Sequence, residues 1–420
     1  MPGIACSDMS SEDQLCLLLA SGGLSPDREQ RARELLAGPL DWQRFYARAI
    51  AQEVLPLVHR NLRGLGFPGV PDDVRQRMAA AFRSNAIRNL ALARELARLL
   101  RVLAESGIPI MPVKGVVLSQ RLYGDLALRP TSDIDLFLPA QATVRAVRVL
   151  AGVGYAGPFP ERRLSRWFLR HSVDYPLFGA ASANGKQTAT VELHWRLHRE
   201  ESINRPMTAD LWAEARPTEW LGAPALGLSP EWEFIHLCLH AGQHQWRTLK
   251  WLADIHELCC CRPPDWRRVR EKVGRFGLLS PVETTLSACH RLLGTFDDGK
   301  LPAGFRLAPL PRGVVLFPAP ALPYAALRTA VHYSWLALGL WAKLRCLAEW
   351  VFTPTLAECQ AVSLPPSLSF LYYPLRPVRL TLKWSYIVLT QAAKSLWGWR
   401  PGVPAGLGGR QQPAPGDSLP

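Results

Sequence analysis

IPIMPVKGVVLSQRLYGDLALRPTSDIDLFL, from Ile108 to Leu138, is the stretch from which the rest of this 420-residue chain is best read. It opens with an apolar run, Ile108 to Val113, bounded by Gly107 and by Lys114-Gly115, which predicts a short buried strand. Val116 to Tyr123 then carries apolar residues at helical spacing and ends in Gly124-Asp125, a turn signal. After the loop residues Arg129-Pro130-Thr131-Ser132, acidic and apolar residues alternate from Asp133 to Leu138. That period of two predicts a second strand.

Successive strand side chains point to opposite faces, so Asp133 and Asp135 project together while Ile134, Leu136 and Leu138 face a core. Two carboxylates held side by side repel each other unless a cation sits between them. Hard oxygen donors suit Mg²⁺, which is typically shared with substrate phosphates. The turn at Gly115 brings backbone N–H groups and a helix N-terminus to the same sheet edge, where anions are favoured, and Lys114 and Arg129 add positive charge there. An Asp-x-Asp pair alone is equally the solvated face of an edge strand. Its conjunction with the Lys-Gly turn and the Arg-Pro lead-in is what favours a site.

Glycine at a strand-to-helix turn followed by a strand bearing Asp-x-Asp resembles the nucleotidyltransferase fold of the DNA polymerase β superfamily. Val113-Lys114-Gly115, Leu122-Tyr123-Gly124-Asp125, Arg129-Pro130 and Asp133-Ile134-Asp135-Leu136 together resemble the bacterial family of uncharacterised nucleotidyltransferases, over roughly Asp41 to Leu380. The superfamily often has a second small residue after the first glycine, and Val116 stands there instead. The resemblance implies an α+β fold, a small mixed sheet flanked by helical regions, and a third carboxylate from a later strand.

Val191-Glu192-Leu193-His194-Trp195 offers that carboxylate, because its alternation places Glu192 and His194 on one face. Upstream, Ser172 to Phe178 reads as a strand, with Asn184-Gly185 in the turn region of a hairpin returning along Thr188 to Leu197. The family wording favours Glu192 over Asp174. By resemblance, Asp133, Asp135 and Glu192 would hold Mg²⁺ and act in catalysis, while Lys114, Gly115 and Arg129 would bind triphosphate oxygens. His194 would contact the nucleotide, or serve only to orient Glu192 by a hydrogen bond.

The size predicts more than one domain: helical over 1–106, the nucleotidyltransferase core over 107–200, helical again over 201–400, and a disordered tail over 401–420. A net charge of +14 suggests polyanionic partners. Residues 301–420 hold 11 Lys and Arg against 3 Asp and Glu, so contact with nucleic acid or an anionic membrane through that region is expected. Neither a signal peptide nor a membrane span is legible. Nine cysteines without framework spacing suit a reducing, cytoplasmic compartment, and the adjacent Cys259-Cys260-Cys261 makes a poor zinc site.

Helices are predicted over Glu12 to Leu19, Asp27 to Leu36, Asp41 to Leu62 and Asp72 to Ala104. The last should pack Phe82, Leu90, Leu96, Leu99 and Leu103 on the sheet. Further helices are expected over Gln141 to Ala151, Glu231 to His244, Ala325 to Val351 and Leu380 to Trp397, with Pro365-Pro366 and Tyr372-Tyr373-Pro374 extended between the last two. His236, His240 and His244 recur every four residues on one helical face, followed by Asp254 and His256. Either a metal site or a polar network beside the nucleotide fits that spacing, and Trp246, Trp251 and Trp266 read as core.

The expected reaction is transfer of a nucleoside monophosphate from an NTP, ATP foremost, to an acceptor that is protein, RNA or a small molecule, with release of pyrophosphate. The competing reading is a nucleotide-binding or scaffold protein of a biosynthetic or surface-polysaccharide assembly without turnover. No helix-hairpin-helix or similar duplex-binding module supports a polymerase.

Overall fold

The computed structural model describes residues 9–161, 164, 166–180, 189–197, 201–244, 246–296, 301–308, 310, 344, 348 and 351–397. Five helices come first: α1 (Ser11–Leu19), α2 (Pro26–Leu36), α3 (Trp42–Ala51), α4 (Leu55–Leu65) and α5 (Asp72–Glu105). Ser10, Ser25 and Asp41 cap α1, α2 and α3 by accepting a backbone N–H of the first turn. The single helix expected over Asp41 to Leu62 is in fact two. Glu53 takes a positive φ of 54°, and Pro56, which lacks an N–H, opens α4 rather than continuing α3.

The central unit follows: β1 (Met111–Val113), α6 (Gly115–Tyr123), β2 (Ile134–Phe137), α7 (Thr143–Ala151), β3 (Tyr155–Ala156), α8 (Arg166–His171), β4 (Asp174–Gly179) and β5 (Thr190–His194). The strands form one mixed sheet in the order β1-β2-β5-β4-β3. Only β2 and β5 run parallel, with Asp135 opposite Glu192 and Phe137 opposite His194 in register. The turn expected at Asn184-Gly185 lies outside the described residues.

Beyond the sheet come α9 (Glu201–Ala213), a hairpin of β6 (Arg216–Trp220) and β7 (Ala223–Gly227), then α10 (Pro230–Gln243), α11 (Leu249–Cys261), α12 (Trp266–Arg275), α13 (Leu279–Leu293), α14 (Leu356–Ala361) and α15 (Tyr372–Trp397). The architecture is α+β with a mixed sheet, as the sequence led us to expect. Tyr372 to Pro374 is not extended but opens α15, and residues 366–371 form a 3₁₀ helix. Most of the helix expected over Ala325 to Val351, and all of 401–420, lie outside the described residues.

Two apolar clusters organise the chain. One joins α1–α4 to α10–α13 and reaches Met111, Val113 and Phe137 on one sheet face. The other packs Leu92, Leu96, Leu99 and Leu103 of α5 under the opposite face, against Ile134, Leu136, Val191 and Leu193. Helices before and after the sheet therefore share a core, and the sheet is held between two apolar layers.

The inward stripe of α5 differs from expectation at one place. Leu90 is exposed, and the inward positions run Met78, the half-buried Phe82, Asn85, Asn89, Leu92, Leu96, Leu99, Leu103 at alternating spacings of four and three. Two asparagines occupy helix positions that a purely apolar reading would skip.

Candidate active site

Lys114 ends β1 and precedes α6 with φ 54° and ψ −141°, a conformation costly for a residue with a Cβ. Gly115 follows at φ 50°, and a Cβ there would meet Thr131 Cγ2 at 3.5 Å and the Asp133 carbonyl oxygen at 3.7 Å. The turn therefore passes close beside the backbone that leads into β2. Val116 is buried in the core under the sheet. Its side chain is therefore taken up by packing rather than turned toward the carboxylates.

Asp135 and Glu192 emerge from the same face of neighbouring strands because they are register partners. His194 Nε2 stands 2.9 Å from Asp135 Oδ1 and 3.4 Å from Glu192 Oε2. Lys114 Nζ lies 3.0 Å from the same Asp135 oxygen. Among the described residues, Asp135, Glu192 and His194 are the His/Cys/Asp/Glu group whose ligand atoms lie within 4.8 Å of one another. Asp133, one residue before β2, stays outside that group. It is close enough for Asp135, Glu192 and Lys114 to act on its charge.

The charges of this cluster are interlocked. Burial, then the negative charges of Asp135 and Glu192, push the Asp133 carboxyl up to about 6. Burial would raise Asp135 too, but the Lys114 ammonium and the His194 imidazole hold it well below the usual carboxylate range. Burial would lower His194, yet its bonds to Asp135 and Glu192 raise it to about 9, so the ring is cationic at neutral pH. His194 is thereby a charged hydrogen-bond donor to both carboxylates, and its ring also belongs to the group of converging ligand atoms. Three carboxylates that cannot all ionise comfortably together fit a divalent cation, and their oxygens suit a hard one.

Arg129 is placed deeper than the sequence implied. Its Nε donates to Asp254 Oδ2 at 2.9 Å, and Tyr123 Oη donates to Asp254 Oδ1 at 3.0 Å. Asp254 on α11 is fully buried and keeps the guanidinium charged, and that charge still interacts with Asp135. Arg129 is thus pinned by one nitrogen, as a fixed cation behind the carboxylates.

Asn89 was missed in the sequence. Its Nδ2 donates to the carbonyls of Leu126 and Arg129 at 2.5 and 2.7 Å, and Asn85 donates to the Ala127 carbonyl at 2.7 Å. Ser119 Oγ adds a bond to the Asp125 carbonyl at 2.9 Å. These side chains fix the loop that carries Arg129 into the site. The asparagines' place on the four-three stripe of α5 was the signal available.

Asp254 lies on α11, where the sequence placed it, but it serves Arg129 and not the histidines. His236, His240 and His244 lie along one face of α10, with ring centroids 6.4 Å and then 4.7 Å apart, and Trp251 lies against the last two. Trp246 is fully buried, as expected of a core residue. Cys259 is buried while Cys260 and Cys261 are exposed.

Paired carboxylates, a lysine and a glycine turn into a helix thus come together beside β2 and β5. The chain belongs to the family described as uncharacterised nucleotidyltransferase, whose model matches residues 38–294. Among solved structures it is similar to an antigenic nucleotidyltransferase-like protein from Paracoccidioides brasiliensis, at 16% identity and a TM-score of 0.29, over 46% of this chain and 91% of that one. That likeness is too slight to bear on the site. No match is found among curated proteins.

Proposed function

We propose that the protein transfers a nucleoside monophosphate from an NTP, ATP foremost, to a hydroxyl or phosphate group of an acceptor. The observation that carries this reading is the pairing of Asp135 with Glu192 in register on adjacent strands, beside the Lys114-Gly115 turn. Asp133, Asp135 and Glu192 are the residues that would hold Mg²⁺. When bound, Mg²⁺ would polarise the α-phosphate and offset the charge of the triphosphate.

The chain's own groups do the rest. Lys114, the Gly115 N–H and Arg129 bind and orient phosphate oxygens. Glu192, the more exposed carboxylate of the pair, takes the proton of the acceptor hydroxyl as its oxygen bonds to the α-phosphorus. The bond from that phosphorus to the β-phosphate oxygen breaks, and pyrophosphate departs with the electron pair. His194 orients Asp135 and Glu192 and lies where a nucleotide phosphate would reach it. Exposed cysteines suit a reducing compartment such as the cytoplasm.

The test is incubation with each α-labelled NTP, Mg²⁺ and a fractionated lysate. Label moving into protein, RNA or small molecules, with one pyrophosphate released per transfer, is expected. NTP binding without pyrophosphate release under every acceptor fraction would leave only the scaffold reading.

A further inference from the structure

α10 crosses the edge of the site between two fixed points. At its start Glu233 Oε1 accepts from Arg121 Nη1 of α6 at 2.5 Å, and at its end Gln243 Nε2 donates to the carbonyl of Leu197, just beyond β5, at 3.0 Å. Glu233, His236, His240 and His244 recur at three and four residues, so the histidines share the face that the first anchor turns toward α6. α6 is the helix whose N-terminus is the Lys114-Gly115 turn.

His236 is the deepest of the three. Both its ring nitrogens are buried and neither has a hydrogen-bond partner in the protein. A neutral imidazole offers one N–H and one lone pair, and leaving both unmet in an interior is expensive enough to need a reason. The charges of Lys114, His194 and Asp135 act on this ring, and its helix is tied to α6 through Arg121 and to the end of β5 through Leu197. A cation bound by the histidines themselves does not supply the reason. Their rings are spread along the helix, and no such trio is among the described groups with converging ligand atoms.

We propose that His236 lines the triphosphate subsite opposite Lys114 and donates a ring N–H to a phosphate oxygen, with His240 and His244 continuing the same wall. This rests on the nucleotide reading of the site. An anionic oxygen is the ligand that a neutral donor beside a lysine fits, because it is attracted to the ammonium and completes the unmet N–H. Burial, with Lys114 and His194, holds the His236 ring down to about 3, so it remains a neutral donor at working pH. Trp251 packs on His240 and His244 and keeps those rings upright on the helix face.

The test compares His236→Phe with His236→Gln, titrating inorganic tripolyphosphate, ATP and AMP by calorimetry alongside thermal unfolding. Phe removes the donor and the orphaned polar atoms together. It should weaken tripolyphosphate and ATP by about tenfold or more, the scale of one charge-assisted hydrogen bond, while leaving Tm unchanged or raised. Gln keeps an N–H donor and should stay within about threefold of wild type. AMP, which lacks the outer phosphates, should respond to neither change. Wild-type affinity for tripolyphosphate in His236→Phe, or equal losses in both variants, would overturn the proposal and leave the ring a packing element. Should the Phe variant fail to fold, a Gln variant with tenfold weaker binding at wild-type Tm overturns it equally. A wild-type protein that binds neither ATP nor tripolyphosphate would sink the nucleotidyltransferase reading itself, a distinct result.

Discussion

Lys114 Nζ and His194 Nε2 meet on a single oxygen, Asp135 Oδ1, at 3.0 and 2.9 Å. Two cationic donors on one buried carboxylate compensate a charge that would otherwise sit beside Asp133 and Glu192 unbalanced. Replacing Lys114 by Met leaves His194 alone to do so. The expected loss is about 1–3 kcal/mol in urea unfolding without divalent ions, less than for a buried pair with no second donor. Mg²⁺ should restore part of that stability in the variant, and more of it than it adds to wild type, since a cation can take over the neutralising role. Equal stability of variant and wild type in EDTA would show that the ammonium contributes nothing to the fold.

The raised Asp133 and His194 values give stability a definite pH dependence in the absence of metal. Asp133 titrates near 3.8 when unfolded and about 6 when folded, so the native state binds the extra proton between those values. Its contribution to stability therefore falls as pH rises through that window. His194 moves from 6.5 to about 9, so its contribution is complete below pH 6.5 and is lost as pH climbs through 9. Asp133→Asn should remove the first decline, gain roughly 1–2 kcal/mol at neutral pH in EDTA, and abolish nucleotidyl transfer. His194→Gln should flatten the second decline. Because buried histidines such as His236, held down to about 3, oppose the first trend, both are read as differences in urea midpoint between wild type and each variant from pH 4 to about pH 9, and differences that stay level across both windows would refute the charge arrangement.

The strands and turns of the site were legible because period-two alternation and a glycine before a helix are local signals. Asp135, Glu192, Lys114 and Gly115 could be assigned to one sheet edge from such patterns. The register that sets Asp135 opposite Glu192 is a long-range fact, decided by how β2 and β5 bury Leu136 and Leu193. The depth of Arg129 was hidden for the same reason. Its sequence neighbours say loop, and only the packing of α11 supplies the Asp254 that draws it inward. The α3–α4 break was local, written in Pro56, and was overlooked because the apolar spacing continues through it.

Asn89 and Asp254 act on the site without touching a ligand, and their variants should separate positioning from stability. Asp254→Asn deprives a buried guanidinium of its counter-ion and should cost about 3–5 kcal/mol. Asn89→Leu suits the apolar stripe of α5 but removes the short bonds to the Leu126 and Arg129 carbonyls, leaving them the longer ones from the Ser119 and Thr131 hydroxyls at 3.3 and 3.4 Å, at a cost of about 1 kcal/mol or more. Hydrogen exchange over residues 125–132 should quicken in the second variant while the amides of β4 and β5 stay protected. Unchanged exchange in that loop would mean the clamp is redundant.

In the basic C-terminal region, two arginines converge on one carboxylate. Glu358 on α14 is fully buried. It accepts from the Thr355 N–H and hydroxyl at 2.7 Å each, from Arg376 Nη1 at 3.1 Å, and from Arg379 Nε. Arg376 and Arg379 therefore fasten α15 to α14. Lys383, one turn further along α15, is exposed. Arg376→Gln should loosen the segment from 355 to 397, read as faster exchange there, and leave the salt dependence of any RNA or anionic-vesicle binding unaltered. Lys383→Gln should do the reverse, lowering the slope of log affinity against log salt by just under about one unit for RNA while exchange stays at the wild-type rate. A steeper loss of binding from the Arg376 change, with α15 still protected, would give that arginine the surface role instead.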